Sequence, residues 1–237
     1  GYVARVNYNY DDRYYIEFSG RYDASWKFIS TKRWSFFPSV SGAWRITQEP
    51  FFKNNVKSDV LSDLKIRASY GVVGDDAVGG DYDYVAGYNN NSSVSILDGE
   101  AVVGIRPRGE PVTNVSWMKN HFTNVGLDFG LFGGKLYGSF DYFYRKRTGL
   151  LATRSDLVLP SEVGYSLASE NLNADAHYGF EFAINYRNRF GELGFQVGAN
   201  ISYARRKMVS VYNERFANSL KRYRNGQEGR YTYVNWG

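Results

Sequence analysis

Apolar and polar residues alternate along much of this chain. The pattern is clearest at Phe180-Glu181-Phe182-Ala183-Ile184-Asn185-Tyr186. There Phe180, Phe182, Ile184 and Tyr186 fall on one side, and Glu181 and Asn185 on the other. A strand sends successive side chains to opposite faces, so this period predicts a two-faced strand. Tyr14, Ile16, Phe18 and Tyr22 stand in the same relation to Glu17, Ser19 and Arg21, as do Leu127, Phe129 and Leu131 to Asp128 and Gly130. Eight strand segments are predicted, over Val3–Tyr10, Tyr14–Tyr22, Phe36–Ile46, Leu64–Gly71, Phe122–Phe132, Leu136–Lys146, Gly179–Arg187 and Leu193–Ala204.

The connections between them alternate in length. Asp11-Asp12-Arg13, Gly133-Gly134-Lys135 and the stretch Asn188–Glu192 read as tight turns, supplied with the Gly and Asp that tolerate left-handed backbone. The stretches Asp23–Ser35, Val72–His121, Arg147–Tyr178 and Arg205 onward are long. Thr47–Asp63 lies on the short-turn side but is longer, and Glu49–Leu61 has room for a helical turn. Short turns at one rim and long loops at the other describe a transmembrane barrel of the outer-membrane type.

Parity assigns the two faces. Val6, Tyr8, Tyr10, Ile16, Phe18, Val40, Trp44, Ile66, Ala68, Val125, Leu127, Phe129, Phe140, Tyr142, Phe195, Val197, Ala199 and Ile201 are expected toward lipid. Arg5, Asn7, Asn9, Glu17, Arg21, Arg45, Lys65, Arg67, Asp128, Asp141, Glu181, Asn185, Gln196 and Asn200 are expected toward a lumen. A soluble sandwich would show the same period with its apolar side as core. Periodicity alone leaves both open; the loop lengths and the charged face favour the barrel.

Composition narrows the field. Tyrosine reaches 21 residues and aromatics 18%, which suits strands and membrane interfaces. Glycine is abundant at 25 and proline scarce at five, as expected of strands joined by turns. No apolar run approaches the ~18 residues of a spanning helix, which excludes a helical membrane protein. With no cysteine, a disulfide scaffold and a thiolate metal site are excluded. The net charge is +5, and Lys and Arg are scattered among acids, so no basic face for nucleic acid is expected. Gly1 leads directly into strand-like sequence, and Val234-Asn235-Trp236-Gly237 does not read as a strand end. The chain is therefore read as an internal piece of a longer protein.

No catalytic constellation is present. His121 and His177 lack a Ser or Glu partner at a motif spacing, and Gly71–Asp76 lacks the Lys-Ser/Thr of a phosphate loop. Asp75, Asp76, Asp81 and Asp83 offer calcium-type carboxylates without EF-hand spacing, so a solvated loop is the plainer reading. No metal and no cofactor are expected. The run Tyr82–Asn91 is more informative, because it sets Tyr82, Tyr84 and Tyr88 beside three asparagines. Flat rings and bifunctional amides suit a polar organic ligand; the plain alternative is a loop packed on its neighbours. Trp26 and Trp117 on other long connections are candidates of the same kind. Arg106 and Arg108 could meet an acidic cargo or a lid, against the simpler reading of a salt bridge to a neighbouring loop. Prolines at 107 and 111 argue that this stretch is extended and ordered.

Particular strings go beyond pattern. Asp11-Asp12-Arg13-Tyr14-Tyr15, Gly20-Arg21-Tyr22-Asp23, Lys32–Ser41, Trp44-Arg45-Ile46 before Glu49-Pro50-Phe51, Leu61–Gly71, Thr123–Phe132, Gly138–Phe143, Asn200–Tyr203 and Gly226-Gln227 follow in one order. In that order they resemble SusC/RagA-like TonB-dependent transporters. The resemblance covers nearly the whole chain and is weakest in the long loops. There Asn173-Ala174-Asp175-Ala176-His177 replaces the family's Asn-Gly pattern.

The resemblance implies an all-β chain, about eight strands of a large antiparallel 22-stranded transmembrane barrel. Residues 1–237 would be part of the barrel domain, with plug, signal peptide and closing C-terminal strands outside them. It implies outer-membrane import of a polar nutrient, an oligosaccharide or peptide, in Bacteroidetes-type bacteria. The implied partners are a SusD-like surface lipoprotein, the TonB–ExbB–ExbD system acting through the plug, and outer-membrane lipid. The competing class is a soluble β-sandwich module that binds glycans.

Overall fold

The computed structural model describes residues 1–55, 60–154, 157, 160 and 167–232. Its body is one eight-stranded antiparallel sheet. The strands are β1 (Tyr2–Tyr10), β2 (Tyr14–Ala24), β3 (Trp34–Arg45), β4 (Leu61–Asp75), β7 (Met118–Leu131), β8 (Leu136–Thr153), β9 (Ser169–Phe190) and β10 (Leu193–Ser210). Each pairs with its predecessor in the order β1-β2-β3-β4-β7-β8-β9-β10, so the sheet is a meander with open edges at β1 and β10. All eight expected strands are present, and most run further toward the long-loop rim than alternation alone indicated. The interruption is a two-stranded hairpin, β5 (Tyr88–Leu97) and β6 (Glu100–Pro107), inside the longest connection.

The tight turns use the backbone freedom their residues provide. Asp11 and Asp12 have φ of 52° and 51°, and Phe132, Gly133 and Gly134 are also left-handed. The longer connection at that rim holds a 3-10 turn over Ile46–Gln48 and a short helix, α1 (Pro50–Asn55), where a helical turn is expected. At the far end, Ser219–Asn225 forms helix α2, capped by the Asn218 side chain accepting from the Lys221 amide at 2.8 Å. Among the described residues no helix is long and apolar enough to cross a membrane, which bears only on helices.

Register carries both faces intact across the sheet, because directly opposed residues share a face. One ladder row runs Tyr8, Ile16, Gly42, Ala68, Val125, Tyr142, Phe180, Tyr203. The next row runs Asn9, Tyr15, Ala43, Arg67, Gly126, Asp141, Glu181, Ser202. The apolar face is bound by ring contacts: Phe129 stacks on Phe182 at 6.4 Å, Phe140 on Phe180 at 6.2 Å, and Phe180 on Tyr203 at 5.8 Å.

The sheet curls toward the polar side. A hollow of about 520 Å³ lies along Asn9, Tyr15, Glu17, Ser41, Arg67 and Asn124. A second of similar size lies along Asp63, Asp128, Tyr137, Ser139, Asn185 and Arg187. The concave face is thus the charged one. Among the described residues no second sheet covers the convex apolar face, where Val6, Ile16, Phe18, Val197 and Ile201 are all more than half exposed. A sandwich needs the opposite curvature and a cover, so the sandwich alternative fails on both counts.

Candidate functional site

Three features can meet a solute: the concave wall, the rim above it, and the loops at the long-loop end. On the wall, Arg67 donates from Nε and Nη2 to both oxygens of Asp128, at 2.8 and 2.9 Å, and from Nη2 to Asp141 at 3.0 Å. Gly126 leaves the room for this network. A Cβ there would come within 2.5 Å of Asp141 and 2.9 Å of the Arg67 guanidinium. These charges are half-exposed, paired and wettable, as a water-filled lumen allows.

At the rim the same face carries a denser cluster. Asp175 is fully buried between Arg147, which donates from Nε at 2.8 Å and also from Nη2, and Arg206, which donates from Nε at 2.6 Å. Arg147 lies directly opposite it on β8, and Arg206 reaches it diagonally from β10. One strand position lower, Arg145 lies 3.3 Å from His177 Nδ1 and 5.7 Å from the centre of the Phe122 ring. The two histidines therefore serve separate contacts: His121 Nδ1 lies 2.9 Å from the Tyr70 hydroxyl.

Above the strands the connections build a crown with an apolar core of its own. Phe28, Val78, Val115 and Met118 are buried together, with Val112, Trp117, Leu150 and Leu151 packed around them. Asn171 stitches the crown to the strand ends. Its Nδ2 donates to the Ser116 and Gly149 carbonyls at 3.0 and 2.7 Å, and its Oδ1 accepts from the Ser116 amide at 2.7 Å.

The crown gathers some of the expected ligand residues and separates others. Trp26 and Tyr82 come from different connections, yet their rings meet at 4.8 Å, and Tyr84 lies 6.3 Å further on. Trp26 and Tyr82 remain about half exposed and form an aromatic ledge. Tyr82 holds φ of 58°, a conformation costly for a bulky residue. Arg108 secures it by donating to the Tyr82 carbonyl at 3.2 Å while its guanidinium sits 3.6 Å from Asp83. Arg108 thus makes its salt bridge within its own connection rather than to a neighbouring loop. Beside it lies a cavity of about 370 Å³ bounded by Asp83, Arg108, Pro111 and Leu167.

Trp117 is placed elsewhere. Its ring packs on Phe37 at 5.2 Å and Phe28 at 5.6 Å, and its indole N–H donates to the Arg33 carbonyl at 2.9 Å, so it serves the crown core. Tyr88 stands exposed on β5 opposite Pro107. Arg106 pairs through its backbone with Asn89; its side chain lies outside the described residues. Asp75 and Asp83 are spent on local turns, and Asp76 ties two connections together. Asp75 accepts the Ala77 amide at 2.9 Å, Asp76 the Ser25 hydroxyl at 2.8 Å, and Asp83 the Gly80 amide at 2.6 Å. Among the described residues no group of three or more His, Cys, Asp or Glu side chains could hold a metal ion.

The ledge was half legible: its rings stood out, but their meeting did not. The Arg147–Asp175–Arg206 cluster escaped sequence reading. Its partners lie 28 and 31 residues away in sequence, so no local pattern marked it.

Comparison with known proteins agrees with this geometry. The family model "TonB dependent receptor-like, beta-barrel" matches residues 1–236. The chain is 34% identical over 187 residues to the TonB-dependent receptor SusC of Bacteroides thetaiotaomicron, covering 78% of this chain and 18% of that protein. It is 32% identical over 209 residues to TonB-dependent receptor P3 of Formosa agariphila, covering 88% and 20%. Among solved structures it superposes on the RagAB peptide transporter with a TM-score of 0.72 and 26% identity, over 89% of this chain and 22% of that one. For the RagAB peptide importer in its "open-open" state the TM-score is 0.74 at 26% identity, over 92% and 23%. The chain thus spans about a fifth of the length of these relatives.

Proposed function

The chain belongs to the family of TonB-dependent receptor β-barrels of the Gram-negative outer membrane, and from that premise we propose that it supplies part of the wall and mouth of a nutrient importer. The cargo is a polar oligosaccharide or peptide, received from a SusD-like surface lipoprotein and admitted through the barrel under TonB energy. Of the relatives, one is a SusC receptor and another a peptide transporter by name, and both cargo classes suit the residues here.

The observation that carries the reading is the pairing of a wet, charged concave wall with an exposed aromatic ledge above it. Rings 4.8 Å apart from two different connections, tilted by 36°, offer a half-exposed aromatic surface. Such a surface stacks on a sugar or peptide face at little entropic cost. The crown core holds the ledge in place, so capture does not have to order a loose loop. Below it, guanidinium groups already committed to carboxylates keep the wall hydrated without binding a passing solute tightly. No side chain on this path is assigned a catalytic role.

The test uses the full-length transporter in its own outer membrane. A Trp26→Ala/Tyr82→Ala double variant is expected to assemble normally, retain its lipoprotein and lose cargo uptake several-fold. Normal uptake by a well-assembled variant would remove the ledge from the capture path. Loss of the co-purifying lipoprotein would instead assign the ledge to the lid contact.

A further inference from the structure

The convex face changes character at a fixed height. On β7 the outward positions from Leu131 to Thr123 carry no charge, and His121 and Lys119 follow. On β8 they are uncharged from Leu136 to Tyr144, and Lys146 follows. On β10 they are uncharged from Phe195 to Tyr203, and Arg205 and Lys207 follow. The first basic side chain comes ten residues beyond the apolar start on β7 and β8, and on β10 ten beyond Phe195 and twelve beyond Leu193. Ten residues rising ~3.3 Å each, on strands tilted by about 40°, climb about 25 Å, the height of the apolar band of an outer-membrane barrel. Tyr70, Tyr144, Tyr178 and Tyr203 stand just below the change, as an interfacial girdle does.

The cations are crowded and lack carboxylates. His121, Lys146, Ala176 and Lys207 stand opposite one another in one row of the register, with Arg205 one outward position lower on β10. Lys146 and Lys207 flank the buried Ala176 on its two neighbouring strands. Among the described residues, Lys119, Lys146, Arg205 and Lys207 form no ion pair. The nearby Asp175 points to the other face and is taken by Arg147 and Arg206. Arg205 is held over two rings, 5.5 Å from Tyr203 and 5.2 Å from Tyr231, which fixes its place without neutralising it. Like charges set side by side across a sheet repel one another. A belt of them at the outer end of the lipid-facing surface is stabilised by an anion from the membrane.

We propose that Lys146, Arg205 and Lys207, with His121 and Lys119 at the margin, form a binding site for a phosphorylated lipid headgroup of the outer leaflet. The acyl chains would lie along the charge-free positions below, and the phosphate would sit against the ammonium groups of Lys146 and Lys207 and the guanidinium of Arg205. The inference rests on the convex face being the lipid face. Cysteine labelling across β7, described at the end, tests that premise separately.

The experiment purifies the full-length transporter in mild detergent and adds lipid A in its diphosphorylated and dephosphorylated forms. Native mass spectrometry then counts the lipid retained per barrel. Wild-type protein is expected to keep the phosphorylated form preferentially. K146Q/R205Q/K207Q should lower that retention by at least about tenfold, since each basic side chain near a membrane surface adds attraction worth about fivefold, while K146R/K207R should preserve it. If the triple variant does not assemble, the phosphorylated-to-dephosphorylated ratio on wild-type protein decides. Equal retention of the two lipids, unchanged retention by the triple variant, or displacement of the lipid by millimolar inorganic phosphate would overturn the assignment.

Discussion

The strand body and the crown above it use the same apolar residues in opposite ways. In the body, Val6, Phe18 and Val197 stand more than half exposed on the convex face. In the crown, Phe28 is 2% exposed and Val78 5%. The body resembles a core turned inside out, its apolar side meant for lipid and its charges gathered on the concave side. The crown resembles a small water-soluble domain, with its apolar groups withdrawn and its strand ends tied by Asn171. The two therefore answer to different perturbations. A lost methylene is felt in the crown, and a misplaced charge in the body.

The largest effect expected from that difference is in the crown. Phe28→Ala empties the centre of the core and should cost about 3–5 kcal/mol of crown stability. Limited proteolysis of the full-length protein should then cut within residues 76–117, while the strands stay folded in detergent. Simultaneous loss of the strands would show that the two parts are one cooperative unit.

In the body, Phe129→Arg places a charge on the lipid face and should cost about 2–4 kcal/mol near the midplane, read as a lower urea midpoint for the barrel in detergent. Asp128→Asn, next to it but on the concave face, should disturb the barrel far less. Equal penalties at the two sites would erase the distinction between the faces.

The smallest effect concerns the tight-turn rim, where Glu49 accepts from the Tyr14 hydroxyl at 2.6 Å and the Trp44 indole at 3.0 Å. These bonds, with Arg13 nearby, hold its carboxyl below the usual range. A depressed value means that the folded state favours the carboxylate. Its contribution is present above the unfolded glutamate value, near ~4.3, and is lost as pH falls through the lower folded value. Glu49→Gln should lower the thermal midpoint at neutral pH, and the gap to wild type should close in acid below that range. A gap that persists or widens in acid would contradict the assignment.

How much of this was legible in the sequence follows from how far apart the cooperating residues lie. The eight strands were readable because period and turn residues are local: Asp11-Asp12 and Gly133-Gly134 mark reversals wherever they stand. The hairpin β5–β6 also had a local signal, Asp98-Gly99 between two apolar runs, with φ of 53° and 84°. Read from the prolines at 107 and 111, the stretch looked merely extended, and the turn was passed over. The crown core had no such signal. Phe28, Val78, Val115 and Met118 are isolated apolar residues drawn together only when distant connections meet. For the same reason Trp117 read as a ligand ring although its neighbours Phe28 and Phe37 lie far back in the chain.

The central claim is that the convex face meets lipid and the concave face meets water. Single cysteines placed in turn at residues 125–131 of the full-length, membrane-embedded transporter test it directly, each probed with a water-soluble and a lipid-soluble maleimide. The account predicts strict alternation, with Val125, Leu127, Phe129 and Leu131 positions labelled from lipid and Gly126, Asp128 and Gly130 positions from water. Alternation of the opposite sense, or aqueous labelling at all seven, would contradict it.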